Sequence, residues 1–221
     1  MKLFERLKAD AAPQWADYTQ HEFVRQLGDG SLPLECFKHY LVQDYLFLIQ
    51  FARAYALGVY KSPSVSDMRQ SLEGVKAILD VELELHIELC GKWGMSRDEI
   101  ENAPEDTPTM AYTRFVLDAG MSGDLLDLQA ALAPCIIGYA EIGSRLTNEG
   151  ADREGNAYRR WIQEYAGEAY QDLAKGFAGW FDETAEQVLT VNRYPRVLSL
   201  FEKASRLESD FWQMGFSAKR R

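Results

Sequence analysis

The sequence predicts an all-α protein, a multi-helix bundle, on three observations. Apolar residues recur at helical spacing through most of the chain, strand-like alternation is nearly absent, and Gly and Pro punctuate long amphipathic segments instead of closely spaced hairpins. A chain of 221 residues is long enough to bury one sizeable core and a little short for two, so a single domain over 1–221 is expected.

The elements follow in order. Short helices precede a turn at Gly28-Asp29-Gly30-Ser31. Pro33 sits where the first turn of a helix tolerates a missing N–H, and a long helix runs from there to about Tyr60. Lys61-Ser62-Pro63 breaks it. A second long helix spans about Ser66 to Trp93 and ends at Gly94. Ser96 with Glu99 has the spacing of a capping box for a short helix. A polar loop through Pro104 and Thr107-Pro108 leads into a helix carrying Tyr112 and Phe115, closed by Gly120 to Gly123. Asp124 caps a helix reaching Leu146, where Pro134 removes one backbone hydrogen bond and predicts an interruption and kink one residue before Cys135. A Gly-containing loop from Asn148 to Asn156 precedes a short helix at Tyr158 to Tyr165. Two more helices run to about Val191 and from Tyr194 to Met214. Seven or more antiparallel helices with mostly short connections imply a bundle-type core.

Composition narrows the function classes. Hydrophobic residues at 47% and charged residues at 26% exclude a wholly disordered chain, and 12% aromatic content favours a large core or an aromatic-lined pocket. The formal net charge is −10, and the one basic run is the final Lys219-Arg220-Arg221, read as a frayed tail. Nucleic-acid binding is therefore disfavoured. The start, Met1-Lys2-Leu3-Phe4-Glu5-Arg6, lacks the apolar run of a signal peptide. No uninterrupted apolar stretch elsewhere reads as a bilayer span, so a cytoplasmic protein with no membrane contact is expected. Cys36, Cys90 and Cys135 are an odd set without CxxC spacing, which suggests neither a disulfide framework nor a Cys-rich zinc site.

The informative residues are polar groups on apolar helical stripes. Phe37, Leu41, Asp44, Leu48, Phe51 and Tyr55 share one face, so Asp44 either pairs with another helix or sits at the stripe's wet edge; buried alone it would cost several kcal/mol or become protonated. Leu125, Leu128, Leu132, Cys135, Tyr139, Ile142 and Leu146 form another stripe, with thiol and phenol one turn apart. Cys135 there fits a small hydrophobe as well as a nucleophile. On the last helix Val197, Phe201, Ala204, Glu208 and Phe211 place a second carboxylate among apolar neighbours, where Arg206 or Arg145 could neutralise it. Trp161, Ile162 and Tyr165, with Tyr112, fit an aromatic core or a pocket wall. Val75, Leu79, Glu82, His86, Leu89 and Trp93 read as one side of the second long helix, with Glu82 and His86 as a buried hydrogen-bonded pair. Three histidines without paired Glu-x-x-His motifs do not make a di-iron site, so no metal is expected. No G-x-S-x-G elbow, phosphate-binding lysine loop or dinucleotide fingerprint is present. One thiol, two carboxylates and several tyrosines around a cavity suit a flat, polar heteroaromatic ligand.

These residues resemble the TenA, or thiaminase II, family over essentially the whole chain. The most specific segment is Leu32 to Leu48, with Tyr40-Leu41-Val42-Gln43-Asp44 at its core. Glu82-Leu83-Glu84-Leu85-His86, Pro134-Cys135 with Tyr139, Trp161-Ile162-Gln163-Glu164-Tyr165, and Glu208 with Phe211-Trp212 add to it. The resemblance implies the haem oxygenase fold and a cofactor-free aminopyrimidine aminohydrolase, usually a homotetramer, that converts 4-amino-5-aminomethyl-2-methylpyrimidine to the hydroxymethyl pyrimidine. Thiamin would be the slower substrate. It further implies Cys135 as nucleophile, Glu208 as acid/base partner at ring and amine, and Asp44 as anchor for a ring nitrogen and the amino group. Tyr112, Tyr139 and Tyr165 would supply stacking and hydroxyl hydrogen bonds. Phe47 stands where some relatives carry tyrosine, so a hydroxyl contact is expected to be missing and binding differently tuned. Two other readings stay open at this point: a non-catalytic pyrimidine-binding regulator, and a haem-oxygenase-like oxidase using metal or quinone.

Overall fold

The computed structural model describes residues 2–218, so the Lys219-Arg220-Arg221 run lies outside the described residues. Those residues form helices and no strand, as the periodicity predicts. Three short helices, α1 (Leu3–Asp10), α2 (Ala12–Thr19) and α3 (Glu22–Asp29), lead to a turn closed by Gly30 at φ 84°, a left-handed backbone that favours glycine. α4 (Leu34–Lys61) follows Pro33, and Ser62 ends it. Further on come α7 (Arg97–Glu101), α8 (Thr107–Ser122), α9 (Leu125–Asn148), α10 (Arg159–Ala166), α11 (Glu168–Val188) and α12 (Tyr194–Ser217). The capping boxes at Ser96/Glu99 and at Asp124/Asp127 are both formed, satisfying N–H groups that a helix start leaves open.

The segment expected as one helix from Ser66 to Trp93 differs. Ser64 starts it, its hydroxyl accepting from the Asp67 N–H at 3.1 Å. The chain then passes from α5 (Val65–Lys76) through a π-helical turn, Ala77–Glu82, into α6 (Leu83–Gly91). A π turn accommodates one extra residue, so the faces on its two sides are out of phase with a 3.6-residue repeat. The stripe through Val75, Leu79 and Glu82 fails accordingly. Leu79 is 48% exposed and Val81 54%, while Ile78 takes the buried place at 2%. No Pro or Gly marks the insertion at 77–82, which is why apolar spacing alone misses it.

α9 lies at the centre, packed by α8, α10, α11 and α12. By length and hydropathy it is long enough to cross a bilayer, contrary to the expectation that no stretch qualifies. Its apolar window is 83% buried inside the bundle, the place of a core helix. α9 also runs through Pro134 without the expected interruption. The ring removes one hydrogen bond, but Ala130, Ala131 and Ala133 around it are fully buried, so packing holds the helix together. Gly138 lets α2 approach closely, since a Cβ there would stand 2.3 Å from the Tyr18 ring. Tyr18 in turn donates to the Pro134 carbonyl at 3.3 Å. The stripes of α4, α9 and α12 face this shared core, and their polar members arrive there together.

Candidate active site

Asp44 is 4% exposed on α4 and is not alone. The Tyr40 hydroxyl, one turn earlier, donates to its Oδ2 at 2.8 Å, and His86 Nε2 of α6 lies 2.7 Å from the same oxygen. His86 Nδ1 is 2.8 Å from the Glu82 carbonyl. A carbonyl only accepts, so Nδ1 carries hydrogen and Nε2 presents its own to the carboxylate, the arrangement of an imidazolium. Burial alone would lower the His86 pKa, but hydrogen bonding to Asp44 and its charge outweigh this and raise it. Of the two places left open for Asp44, the structure therefore selects pairing with another helix. The expected pair of Glu82 with His86 is corrected: His86 takes the Glu82 backbone carbonyl and the Asp44 carboxylate. The π turn leaves the Glu82 side chain free to point elsewhere.

Glu208 is 1% exposed on α12. Tyr112 of α8 donates to its Oε1 at 2.8 Å, and the Cys135 thiol of α9 lies close enough for the two groups to shift one another's titration. Neither Arg206 nor Arg145 neutralises it; Arg145 donates to the Thr19 carbonyl at 2.7 Å instead. Burial pushes the Glu208 carboxyl up to about 8, partly countered by the Tyr112 hydrogen bond. The same burial, followed by the carboxyls of Glu208, Asp44 and Glu82, holds the Cys135 thiol well above the usual thiol range. Cys36 and Cys90 are fully buried, and burial pushes Cys90 up to about 12, leaving Cys135 as the partly exposed thiol of the three.

The aromatic candidates gather around these acids. Phe47 stands between Phe51 at 5.0 Å, Tyr112 at 4.9 Å and Phe211 at 5.6 Å. Tyr139 packs on Tyr165 at 4.9 Å, and its hydroxyl is 3.4 Å from that of Tyr40. Trp161 Nε1 donates to the Tyr40 oxygen at 3.2 Å, which fixes the phenol that serves Asp44. All seven residues singled out from the sequence thus belong to one contiguous buried region fed by α4, α8, α9, α10 and α12.

The hollow beside the sulfur is smaller and differently walled than expected. Cys135 opens on a cavity of about 20 Å³ lined by Leu48, Phe51, Tyr55, Ile78, Glu82 and Tyr170, among others. That is room for one or two waters. Asp44, Phe47, Tyr112, Tyr139, Tyr165 and Glu208 are not part of its lining, so bringing a pyrimidine ring against them requires the wall to move. Tyr55, Gly74, Ala77 and Leu173 line both this cavity and a surface groove of about 460 Å³ between α5, the π turn and α11. Sequence reasoning missed Glu82 as a residue lining the cavity with Cys135, gave no site role to Tyr40 or to Tyr55 of the Asp44 stripe, and did not single out Tyr170. Tyr40 was readable, being four residues before Asp44 on the same face. Tyr170 carries no local signal, since only the packing of α11 on α9 brings it there.

An all-helical bundle with a thiol, three carboxyls and a ring of aromatics at its core belongs to the class with the haem oxygenase-like fold; a domain of that fold from Shewanella denitrificans superposes with a TM-score of 0.73 at 12% identity, covering 98% of this chain and 93% of that one. Within that class, the chain belongs to the TENA/THI-4/PQQC family, whose pattern matches residues 8–218. A crystal structure titled a TenA family transcription regulator, from Silicibacter sp. TM1040, superposes with a TM-score of 0.93 at 45% identity, over 98% of this chain and 97% of that one. The aminopyrimidine aminohydrolase of Halalkalibacterium halodurans is 34% identical over 219 residues, 99% of this chain and 97% of that protein.

Proposed function

We propose that the chain is an aminopyrimidine aminohydrolase. It would hydrolyse 4-amino-5-aminomethyl-2-methylpyrimidine to the hydroxymethyl pyrimidine and ammonia, and thiamin more slowly, with Cys135 as nucleophile. The observation that carries this reading is the Cys135 thiol beside the Glu208 carboxyl, which Tyr112 holds at 2.8 Å, within one cluster that also contains the Asp44–His86 pair. The aminohydrolases among its relatives support it.

The chemistry follows from the charges. In the unliganded site three carboxyls disfavour a thiolate, so the sulfur rests as a thiol. A cationic pyrimidine offsets that repulsion and brings the thiolate within reach as it binds. The sulfur adds to an electron-poor ring carbon while its proton passes through the Glu208 carboxyl to a ring nitrogen. Tyr112 keeps that carboxyl oriented, and Asp44, held by His86 and Tyr40, accepts hydrogen bonds from the ring amino group. The electron-rich adduct expels the amine from the exocyclic methylene. Water then bonds to that carbon and gives one proton to the released ammonia, which departs as ammonium; the ring nitrogen returns its proton through Glu208, and the sulfur leaves as a thiol. No step consumes an oxidant or reductant.

Cys135→Ala tests the reading. Ammonia release from the aminomethyl pyrimidine is expected to fall by on the order of 10³-fold or more, with the fold intact by circular dichroism. Equal rates for the two proteins would remove Cys135 from the mechanism.

A further inference from the structure

One carboxyl beside the thiol has no part in the ring chemistry. Glu82 is the last residue of the π turn, and among the residues lining the small cavity next to Cys135 it is the sole carboxylate. The other polar groups there are the thiol itself and the hydroxyls of Tyr55 and Tyr170. The sulfur thus has Glu82 on the wall of its own cavity, with Glu208 and Asp44 also acting on it from outside that wall.

We infer that Glu82 is the leaving-group residue of the site, binding the substrate's aminomethyl ammonium beside Cys135 and setting the preference for a primary amine over a bulkier leaving group. This inference rests on the reaction proposed above. With a ring nitrogen at Glu208 and the ring amino group at Asp44, the arm on the neighbouring ring carbon has the cavity beside the thiol to occupy, and Glu82 is the group there that can pair with a cation. Its backbone is held in register with the ring anchor, because the Glu82 carbonyl takes the His86 Nδ1 proton while His86 Nε2 holds Asp44. Its carboxyl accepts no hydrogen bond from the described residues, so its oxygens are available to a ligand. The charged groups acting on it are His86 from α6, Asp44 from α4 and Glu164 from α10; burial, ahead of these, pushes it up to about 7. A bound ammonium favours its carboxylate form.

In the expulsion step the carbon–nitrogen bond breaks, its electron pair leaves with the nitrogen, and the nitrogen keeps its three hydrogens and departs as ammonia. Glu82 holds the nitrogen protonated up to that moment and exchanges no net proton. A thiazolium leaving group, by contrast, departs as a neutral thiazole with no N–H for a carboxylate to hold.

The two substrates separate this role from a general one. Glu82→Gln is expected to lower kcat/KM for the aminomethyl pyrimidine by about 30-fold or more. For thiamin the loss is expected to be about threefold or less, so the preference between the two drops at least about tenfold. Glu82→Asp, which keeps the charge one methylene further back, should fall between. An unchanged preference in Glu82→Gln overturns the inference, whether both rates fall together or neither falls. If Glu82→Gln does not fold, the preference is read on Glu82→Asp, where a wild-type ratio has the same meaning. Cys135→Ala alongside tests the underlying reaction on its own: activity retained by that variant would sink the reaction, whatever Glu82 does.

Discussion

At the scale of single residues, Glu208 has the clearest experimental signature. Its carboxyl titrates at about 8 in the folded protein because burial disfavours the charged form. In the unfolded chain it returns to the ordinary range near ~4.3. The folded state therefore binds more protons across that window, so the contribution of Glu208 to stability is greatest at low pH and is lost as pH rises towards and through 8. Glu208→Gln cannot ionise. Its thermal midpoint is expected to decline less than wild type's between pH 6 and pH 9, measured by calorimetry in matched buffers. Turnover carries the same group's mark. The protonated Glu208 carboxyl delivers a proton to the ring as the sulfur adds, so kcat/KM for wild type should fall above about pH 8, and Glu208→Gln should lose both the activity and that limb of the profile. A stability curve of the same slope in both proteins would show that Glu208 is ionised in the folded state at neutral pH. The sequence already marked Glu208, because a carboxylate on an unbroken apolar stripe of a long helix has few harmless explanations. It could not reveal that its neighbours are Tyr112, 96 residues earlier on α8, and Cys135 on α9.

The α5–π–α6 element shows where pattern reading stops and why. α4, α9 and α12 keep one 3.6-residue phase from cap to cap, so Asp44, Cys135, Tyr139 and Glu208 could all be placed on inward faces before any coordinates were known. The π turn shifts that phase within a run of ordinary helix-forming residues. A 3.6-residue repeat therefore puts Leu79 inward and Glu82 beside His86, whereas Leu79 is exposed and Glu82 lines the cavity. Fit between neighbouring helices is likewise invisible in sequence. Gly74 of α5 lies against the Tyr55 ring so closely that a Cβ there would stand 2.2 Å from Cε1 and 2.4 Å from Cδ1. In an exposed helix Gly→Ala gains up to ~1 kcal/mol, but here the overlap should win. Gly74→Ala is expected to destabilise the fold by about 1–3 kcal/mol in urea unfolding. Tyr55 is 5% exposed and forms the wall shared by groove and cavity. Any relief pushes its ring towards Cys135 or splays α5 outward, so turnover should drop alongside stability. A stabilised, fully active Gly74→Ala would mean that the ring has free room and that the wall is loosely packed.

For the molecule as a whole, the decisive property is charge. The chain carries a formal −10, and the groove that shares four residues with the cavity is rimmed by Glu73, Asp80 and Asp172 against a single Lys76, which Glu73 already pairs at 2.9 Å. A cationic aminopyrimidine approaching such a surface is concentrated near it, whereas a neutral one is not. The attraction is long-ranged and so open to screening: the Debye length shrinks from about 30 Å at 0.01 M salt to about 3 Å at 1 M. Across that range kcat/KM for the aminomethyl pyrimidine is expected to fall by roughly three- to tenfold. Inhibition by a neutral pyrimidine of the same ring should change little. Contacts inside the bundle are sheltered from salt, so the fall should appear chiefly in kcat/KM, with kcat at saturation nearly constant. Charge reversal at the rim, Asp80→Lys with Asp172→Lys, should flatten the salt dependence without touching any residue of the thiol–carboxyl cluster. A salt slope that survives this double change would place the approach of substrate on another face of the bundle, and the groove beside Tyr55 would lose its claim to be the way in.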